Sequence, residues 1–308
     1  MRKITFTLLF LISVGLLSCR KTSDDPNITQ YDATNIQNYI KANGLTGMIR
    51  DTSDGDTSGI YYQILSQGAT TTPVAYSDTV KFVFTLKSFD GKYTSLDSLT
   101  ANHYDGFAGH INQGGFPKGL QIAIHNILKY KGTRARILIP SRLAYGVNGY
   151  GSGSSSNVNT RIAGNQCLDY YVNLVSDQNL YDDQIIKNYI STKGLTGFTK
   201  ASGGFYYKVT IPGTGTDPID QYSTFTATYA AKFLTDVQFD ASPTDGTATS
   251  LSIDSVVPGV AQGLQGLTTG AAVTLLLPSR YGYGRAGTTG VAGNTSLRFD
   301  FTVVTITN

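Results

Sequence analysis

Tryptophan is absent from this 308-residue chain, and histidine, cysteine and methionine are scarce at three, two and two copies. Two cysteines, Cys19 and Cys167, are too few for a disulfide framework. The histidines, His103, His110 and His125, have neither the paired helical spacing nor the cysteine partners of a metal site. No metal and no cofactor is therefore expected. Charged residues make up only 15% against 40% hydrophobic, which excludes a charged disordered chain and leaves enough apolar surface for a real core. After the N-terminal segment no apolar run reaches membrane-spanning length.

What is abundant is tyrosine (20), phenylalanine (14) and glycine (34), a balance that suits strands and turns better than long helices. The N-terminus reads as a targeting segment. Arg2 and Lys3 precede an apolar stretch from Phe6 to Leu17, which runs into Leu16-Leu17-Ser18-Cys19. That tetrapeptide resembles the lipobox of bacterial lipoproteins, which implies cleavage before Cys19 and lipidation of Cys19. The mature chain would then be held in the cell envelope by lipid alone, as an outer-membrane lipoprotein facing the periplasm or the surface. With Cys19 acylated, Cys167 has no disulfide partner and reads as a small buried hydrophobe. Cleavage would leave 22 of the 24 basic residues against 21 acidic ones. So near-neutral a chain gives no electrostatic case for nucleic acid.

The length fits two domains of about 150 residues, and the sequence repeats. "YDATNIQNYIKANGLTG" from Tyr31 returns as "YDDQIIKNYISTKGLTG" from Tyr181, and "GIYYQILSQG" from Gly59 as "GFYYKVTIPG" from Gly204. "IPSRLAYG" from Ile139 returns as "LPSRYGYG" from Leu277, and "IAGNQCLDYYVNL" from Ile162 as "VAGNTSLRFDFTV" from Val291. Two copies of one domain follow. The expected division is a signal peptide over 1–18, a tether over 19–30, a first domain over 31–176 and a second over 177–308.

Each copy opens with a leader helix, on which Ile36, Tyr39 and Ile40, or Ile186, Tyr189 and Ile190, share a face. Asp32 near the start and Gly44 past the end mark its limits in the first copy. Val80, Phe82, Phe84 and Leu86 alternate with other residues, as do Phe225, Ala227, Tyr229, Ala231 and Phe233, and again Leu297, Phe299, Phe301 and Val303. Period two with one apolar face predicts half-buried antiparallel strands. "PGVAQGLQGL" over 258–267 reads as a short helix with proline at its start. The expected fold class is α+β, each copy an antiparallel sheet wrapped around a short helix.

Gly282, Gly284 and Gly287 form a formal Gly-x-Gly-x-x-Gly, but "TTGVAGNTS" follows where a dinucleotide site needs a helix. The order of motifs in the second copy instead resembles the FKBP-type peptidyl-prolyl cis-trans isomerases. It is carried by Tyr229, Phe239-Asp240, Val256-Val257-Pro258-Gly259, Leu277 to Gly284, and Leu297 with Phe299, over roughly 200–308 and more loosely over 56–176. The resemblance implies two tandem FKBP-like domains and a catalytic set of Tyr229, Phe239, Asp240, Val256, Val257, Tyr283 and Phe299. Val260, Leu251 and Val291 would complete the substrate-binding surface.

In that set Tyr229, Phe239 and Phe299 would be walls and Val256 and Val257 the floor and backbone contact. Tyr283 would offer its hydroxyl to a substrate carbonyl, and Asp240 would hold the polar edge beside Tyr229. The partners implied are proline-containing unfolded or extended polypeptides, met by a monomer. Turning a prolyl peptide bond costs about 18–20 kcal/mol because it breaks amide resonance. A dry aromatic pocket complementary to the twisted, less polar amide lowers that barrier without nucleophile, metal or base. Two departures stand out. Val260, with Leu120 in the first copy, occupies the place of the family's floor tryptophan. In the first copy Tyr93-Thr94 stands where Phe-Asp is expected and "FPKGL" replaces the apolar pair with Pro-Gly, so that copy is expected to be silent. A non-catalytic chaperone or peptide-binding lipoprotein on the same fold is the alternative function; a glycan-binding tyrosine-rich surface is a more distant one.

Overall fold

The computed structural model describes residues 27–53, 55, 57–152 and 160–308. The signal segment, Cys19 and part of the first copy's long loop lie outside the described residues.

The repeat is realised as two seven-stranded antiparallel sheets of the same topology. The first copy runs α1 (Ile28–Ala42), β1 (Ile49–Arg50), β2 (Tyr61–Ser66), β3 (Thr79–Ser88), β4 (Thr94–Ser95), β5 (His103–Phe107), α2 (Lys118–Ile122), β6 (Arg134–Ile139) and β7 (Leu168–Val175). The second runs α3 (Gln178–Thr192), β8 (Thr199–Lys200), β9 (Tyr206–Ile211), β10 (Thr224–Phe233), β11 (Gln238–Ala241), β12 (Thr249–Ser252), α4 (Pro258–Leu264), β13 (Ala272–Leu277) and β14 (Leu297–Thr307). Strand order is β1-β2-β6-β7-β3-β4 in one and β8-β9-β13-β14-β10-β11 in the other, with β5 and β12 each added on the long strand β3 or β10. Both copies are thus α+β domains, each an antiparallel sheet with a short helix against it.

The alternating strands bury one face, as their period requires. Val80, Phe82, Phe84 and Leu86 are in the core while Lys81 and Lys87 point away. β13 is different: all six of its residues are buried. Leu275 and Leu277 join Val260 and Leu264 of α4 on one side, while Leu276 joins Ile186 and Tyr189 of the leader helix on the other. A strand covered on both faces has no polar side. Gly259 lets α4 lie close to this strand, since a Cβ there would sit 2.6 Å from the Leu277 side chain.

The leader helices begin earlier than the repeat suggests. Asn27 caps α1 by accepting from the Thr29 amide, so the end of the expected tether is already helical, and Asp177 caps α3 in the same way. Asp32 is therefore not a start signal. It is buried at 1% exposure, where it accepts a 2.6 Å hydrogen bond from Ser141 Oγ and lies 3.5 Å from the Arg142 guanidinium. Asp182 repeats this in the second copy, accepting from Ser279 Oγ at 2.6 Å and from the Ser279 amide at 2.7 Å. Each leader helix is thereby bonded to the Pro-Ser-Arg turn that leads into Tyr145 or Tyr283. Burial pushes the Asp182 carboxyl above its ordinary value, against the opposing pull of the hydrogen bonds from Ser279 and Gln178.

Two substitutions separate hydrogen bonding from charge at this joint. Asp182→Ala strands the Ser279 donors in a dry place and should cost about 2–4 kcal/mol of unfolding free energy. Asp182→Asn keeps an acceptor and removes the desolvated charge, so it should stay within about 1 kcal/mol of the parent. Urea unfolding measures both. Equal losses would mean that the hydrogen bonds are not what the joint supplies.

Candidate functional site

Three strands, α4 and the turn after β13 bring the expected residues of the second copy together. Tyr229 lies in mid-β10, Phe239 and Asp240 on β11, and Phe299 on β14 opposite Ala231. The register slips between Ala231 and Lys232, leaving Phe239 without a strand partner while Asp240 pairs with Ala231. That bulge turns the Phe239 ring inward, a common use of an extra residue beside a site. Phe239 then meets Phe299 edge to face at 6.2 Å, Tyr283 edge to face at 6.4 Å, and Phe233 at 4.9 Å.

The Tyr229 hydroxyl donates to Asp240 Oδ2 at 2.9 Å, while Asp240 Oδ1 accepts from the Ala241 amide. Burial first, and Asp240 second, push the Tyr229 phenol up to about 12. Burial also raises the Tyr283 phenol, again with Asp240 adding to the effect. Asp240 itself is exposed, so desolvation among apolar neighbours is not what fixes it; the Tyr229 hydrogen bond and the strand end are. Tyr283 is half-buried, and its hydroxyl makes no hydrogen bond within the described residues. An oriented donor without an internal partner at the edge of an aromatic cluster is free to serve an incoming carbonyl.

Val256, Val257 and Leu251 are partly buried against the same cluster, and Val257 precedes α4 as its cap. Val260 and Val291 go deeper, at 1% and 3% exposure, and belong to the core. Phe301 and Phe233 were legible in the sequence only as core positions. Phe301 stacks on Tyr229 at 5.3 Å and Phe233 leans on Phe239, so both orient site residues. The alternation that assigned them to the core carries no signal that would have marked this.

The first copy arranges the same positions differently. Register pairs Leu86 with Ser95 where Ala231 pairs with Asp240. Ser95, rather than Thr94, therefore stands in the place of Asp240; Thr94, paired with Lys87, stands in that of Gln238, and the bulged Phe239 has no register counterpart. Phe116, just ahead of α2, takes the position of Val256 and packs edge-on against Phe84 (5.5 Å), Phe82 (5.8 Å) and Tyr104 (5.6 Å). Tyr145 stacks on Tyr150 of its own loop at 4.6 Å and donates to the Gly115 carbonyl. Side chains of the domain itself thus crowd around Phe116 and Tyr145, at the positions where the second copy has the smaller Val256 and the unstacked face of Tyr283.

A seven-stranded antiparallel sheet around a short helix, with a tyrosine–aspartate pair on an aromatic cluster, defines an FKBP-type domain. Residues 215–304 match the family model of the FKBP-type peptidyl-prolyl cis-trans isomerases, and the second domain belongs to that family. Among individual proteins, the chain is 34% identical over 104 residues to the FKBP-type peptidyl-prolyl cis-trans isomerase FkpA of Escherichia coli. That match covers 34% of this chain and 38% of FkpA, so the chain spans well under half of the relative's length. The human peptidyl-prolyl cis-trans isomerase FKBP10 is 29% identical over 220 residues, which is 70% of this chain and 31% of that protein. The crystal structure of Escherichia coli FkpA aligns with 40% of this chain and 57% of its own, at 28% identity and a TM-score of 0.37.

The raised phenols of Tyr229 and Tyr283 remain protonated through neutral and mildly alkaline solution. Any peptide isomerisation at this site should accordingly have a rate that is flat between about pH 6 and pH 9. Initial rates across that range check it, and a step near neutrality would mean that some other titrating group takes part.

Proposed function

We propose that the second domain is a peptidyl-prolyl cis-trans isomerase acting on X-Pro bonds of unfolded or extended polypeptides, held in the cell envelope through a lipid on Cys19. The observation that carries the reading is the Tyr283 hydroxyl, without a hydrogen-bond partner among the described residues, beside Phe239, Phe299 and the Tyr229–Asp240 pair. An X-Pro segment laid on this cluster loses water around its amide. The planar amide is the more polar state and loses more by that transfer than the twisted one, so the barrier falls. Tyr283 then orients the substrate by donating to a carbonyl. Tyr229 is kept in place by Asp240 and by the ring of Phe301, and closes the polar side of the pocket. No covalent step is needed. The matched family and the two named relatives support the reaction class.

One feature favours the second reading, a chaperone that grips chains without turnover. Val260, buried beneath the cluster, is a small aliphatic side chain where a broad aromatic one is expected. Isomerisation of a Leu-Pro or Phe-Pro peptide separates the two: acceleration supports the enzyme, and binding without acceleration supports the chaperone.

Removing Asp240 and Tyr283 together should cost about 2–4 kcal/mol of transition-state stabilisation, or about 30- to 1000-fold in kcat/KM. The matching pair in the first copy, Ser95→Ala with Tyr145→Phe, should leave the rate within about twofold. Loss of activity in the first-copy variant, or in neither, would overturn the assignment. Location has its own test. Among the described residues no helix is long and apolar enough to cross a membrane, and Cys19→Ala should move the protein from the membrane to the soluble fraction. Unchanged membrane retention would rule out the lipid anchor.

A further inference from the structure

The loop that follows Tyr283 is closed on itself and fastened to the other domain. Its neck is joined where the Asn294 amide donates to the Gly284 carbonyl at 2.9 Å and the Gly287 amide to the Tyr283 carbonyl at 3.2 Å. Its tip is a small bridge between Thr288 and Val291. Gly287 adopts a left-handed φ of 69°, and a Cβ there would lie 2.4 Å from the Val291 carbonyl oxygen, so the loop is tight enough to move as a unit.

Three residues of that neck meet β5 of the first domain. Arg285 Nη2 lies 2.8 Å from Asp105 Oδ1, Asn294 Nδ2 donates to Asp105 Oδ2 at 3.1 Å, and His103 Nδ1 is 2.9 Å from the Gly293 carbonyl oxygen. Lys81 of β3 stands 3.5 Å from Asp105, which is only 9% exposed and receives both cations. Asn294 sits in the left-handed region at φ 59°, as does its counterpart Asn165 at φ 57°. Among the described residues the side-chain Oδ1 of Asn165 has no hydrogen-bond partner, whereas Asn294 donates its side-chain Nδ2 across the domain boundary.

We propose that the first domain, where Phe116 and Tyr150 pack over the matching positions, braces the loop beside the second domain's candidate site, with Asp105 and His103 as positioning residues for Tyr283. The proposal rests on the isomerase reading of that site. A loop fastened at its neck cannot swing without breaking several charged and polar contacts at once. The wall next to Tyr283 is therefore ordered before substrate arrives, and the binding cost of ordering it is removed.

The full chain carrying Asp105→Asn, Arg285→Gln or both tests the brace. Hydrogen exchange at the amides of 284–294 should quicken about 5- to 10-fold in each single variant and little further in the double. kcat/KM for a Leu-Pro peptide should fall about 3- to 10-fold, carried by KM with kcat nearly unchanged. Arg285 is largely exposed, so its substitution decides the matter if Asp105→Asn fails to fold. Unchanged loop exchange, or effects that simply add in the double variant, would overturn the proposal. If the parent chain fails to accelerate isomerisation, the reading of the pocket falls, while loop exchange, which needs no turnover, still judges the brace.

Discussion

A buried aspartate on each leader helix holds the architecture together. Asp32 and Asp182 reach through the layer between helix and sheet to the serine of a Pro-Ser-Arg turn. The bond is costly to place, since it desolvates a carboxylate. Once placed it fixes the distance between a helix that covers the back of the sheet and a turn that delivers a tyrosine to the front. Arginines in the same turns add to this: Arg142 reaches the carbonyls of Thr57 and Ser58, and Arg280 that of Gly203. The position of Tyr283 thus depends on a helix that touches no part of the pocket.

The two copies show how one scaffold supports opposite outcomes at its open edge. A phenylalanine in place of a valine, Phe116 for Val256, is enough to occupy the space between the long strand and the short helix. Tyr150 then stacks on Tyr145 and uses up the face that Tyr283 keeps free. Interiors are close-packed, so a side chain with no competitor for a pocket moves into it. The second copy avoids this because its floor side chains are small and its loop is turned outward, toward the other domain.

Charge is distributed to match. The polar contacts of the second pocket are few and local, Tyr229 with Asp240 above all. The heavier ionic cluster sits at Asp105, between the domains. Surface ion pairs contribute little singly; a nearly buried carboxylate facing two cations and an amide is a stronger joint.

Much of this was determined by the sequence alone. Repeated blocks identified two copies, period-two alternation identified the half-buried strands, and the order Tyr229, Phe239-Asp240, Val-Val-Pro-Gly, Tyr283, Phe299 identified the family, because each of those signals is local. Signals that need a partner far along the chain were misread or invisible. Asp32 looked like a helix start, since nothing nearby says that Ser141 lies 2.6 Å away. Thr94 reads in the sequence as the counterpart of Asp240, since only strand register shows that Ser95 faces Leu86. The joint of Asp105 with Arg285 and Asn294 joins residues about 180 to 190 positions apart, and no period or spacing encodes it. The tertiary structure decides such contacts because they arise from how finished surfaces meet, after local preferences have already been satisfied.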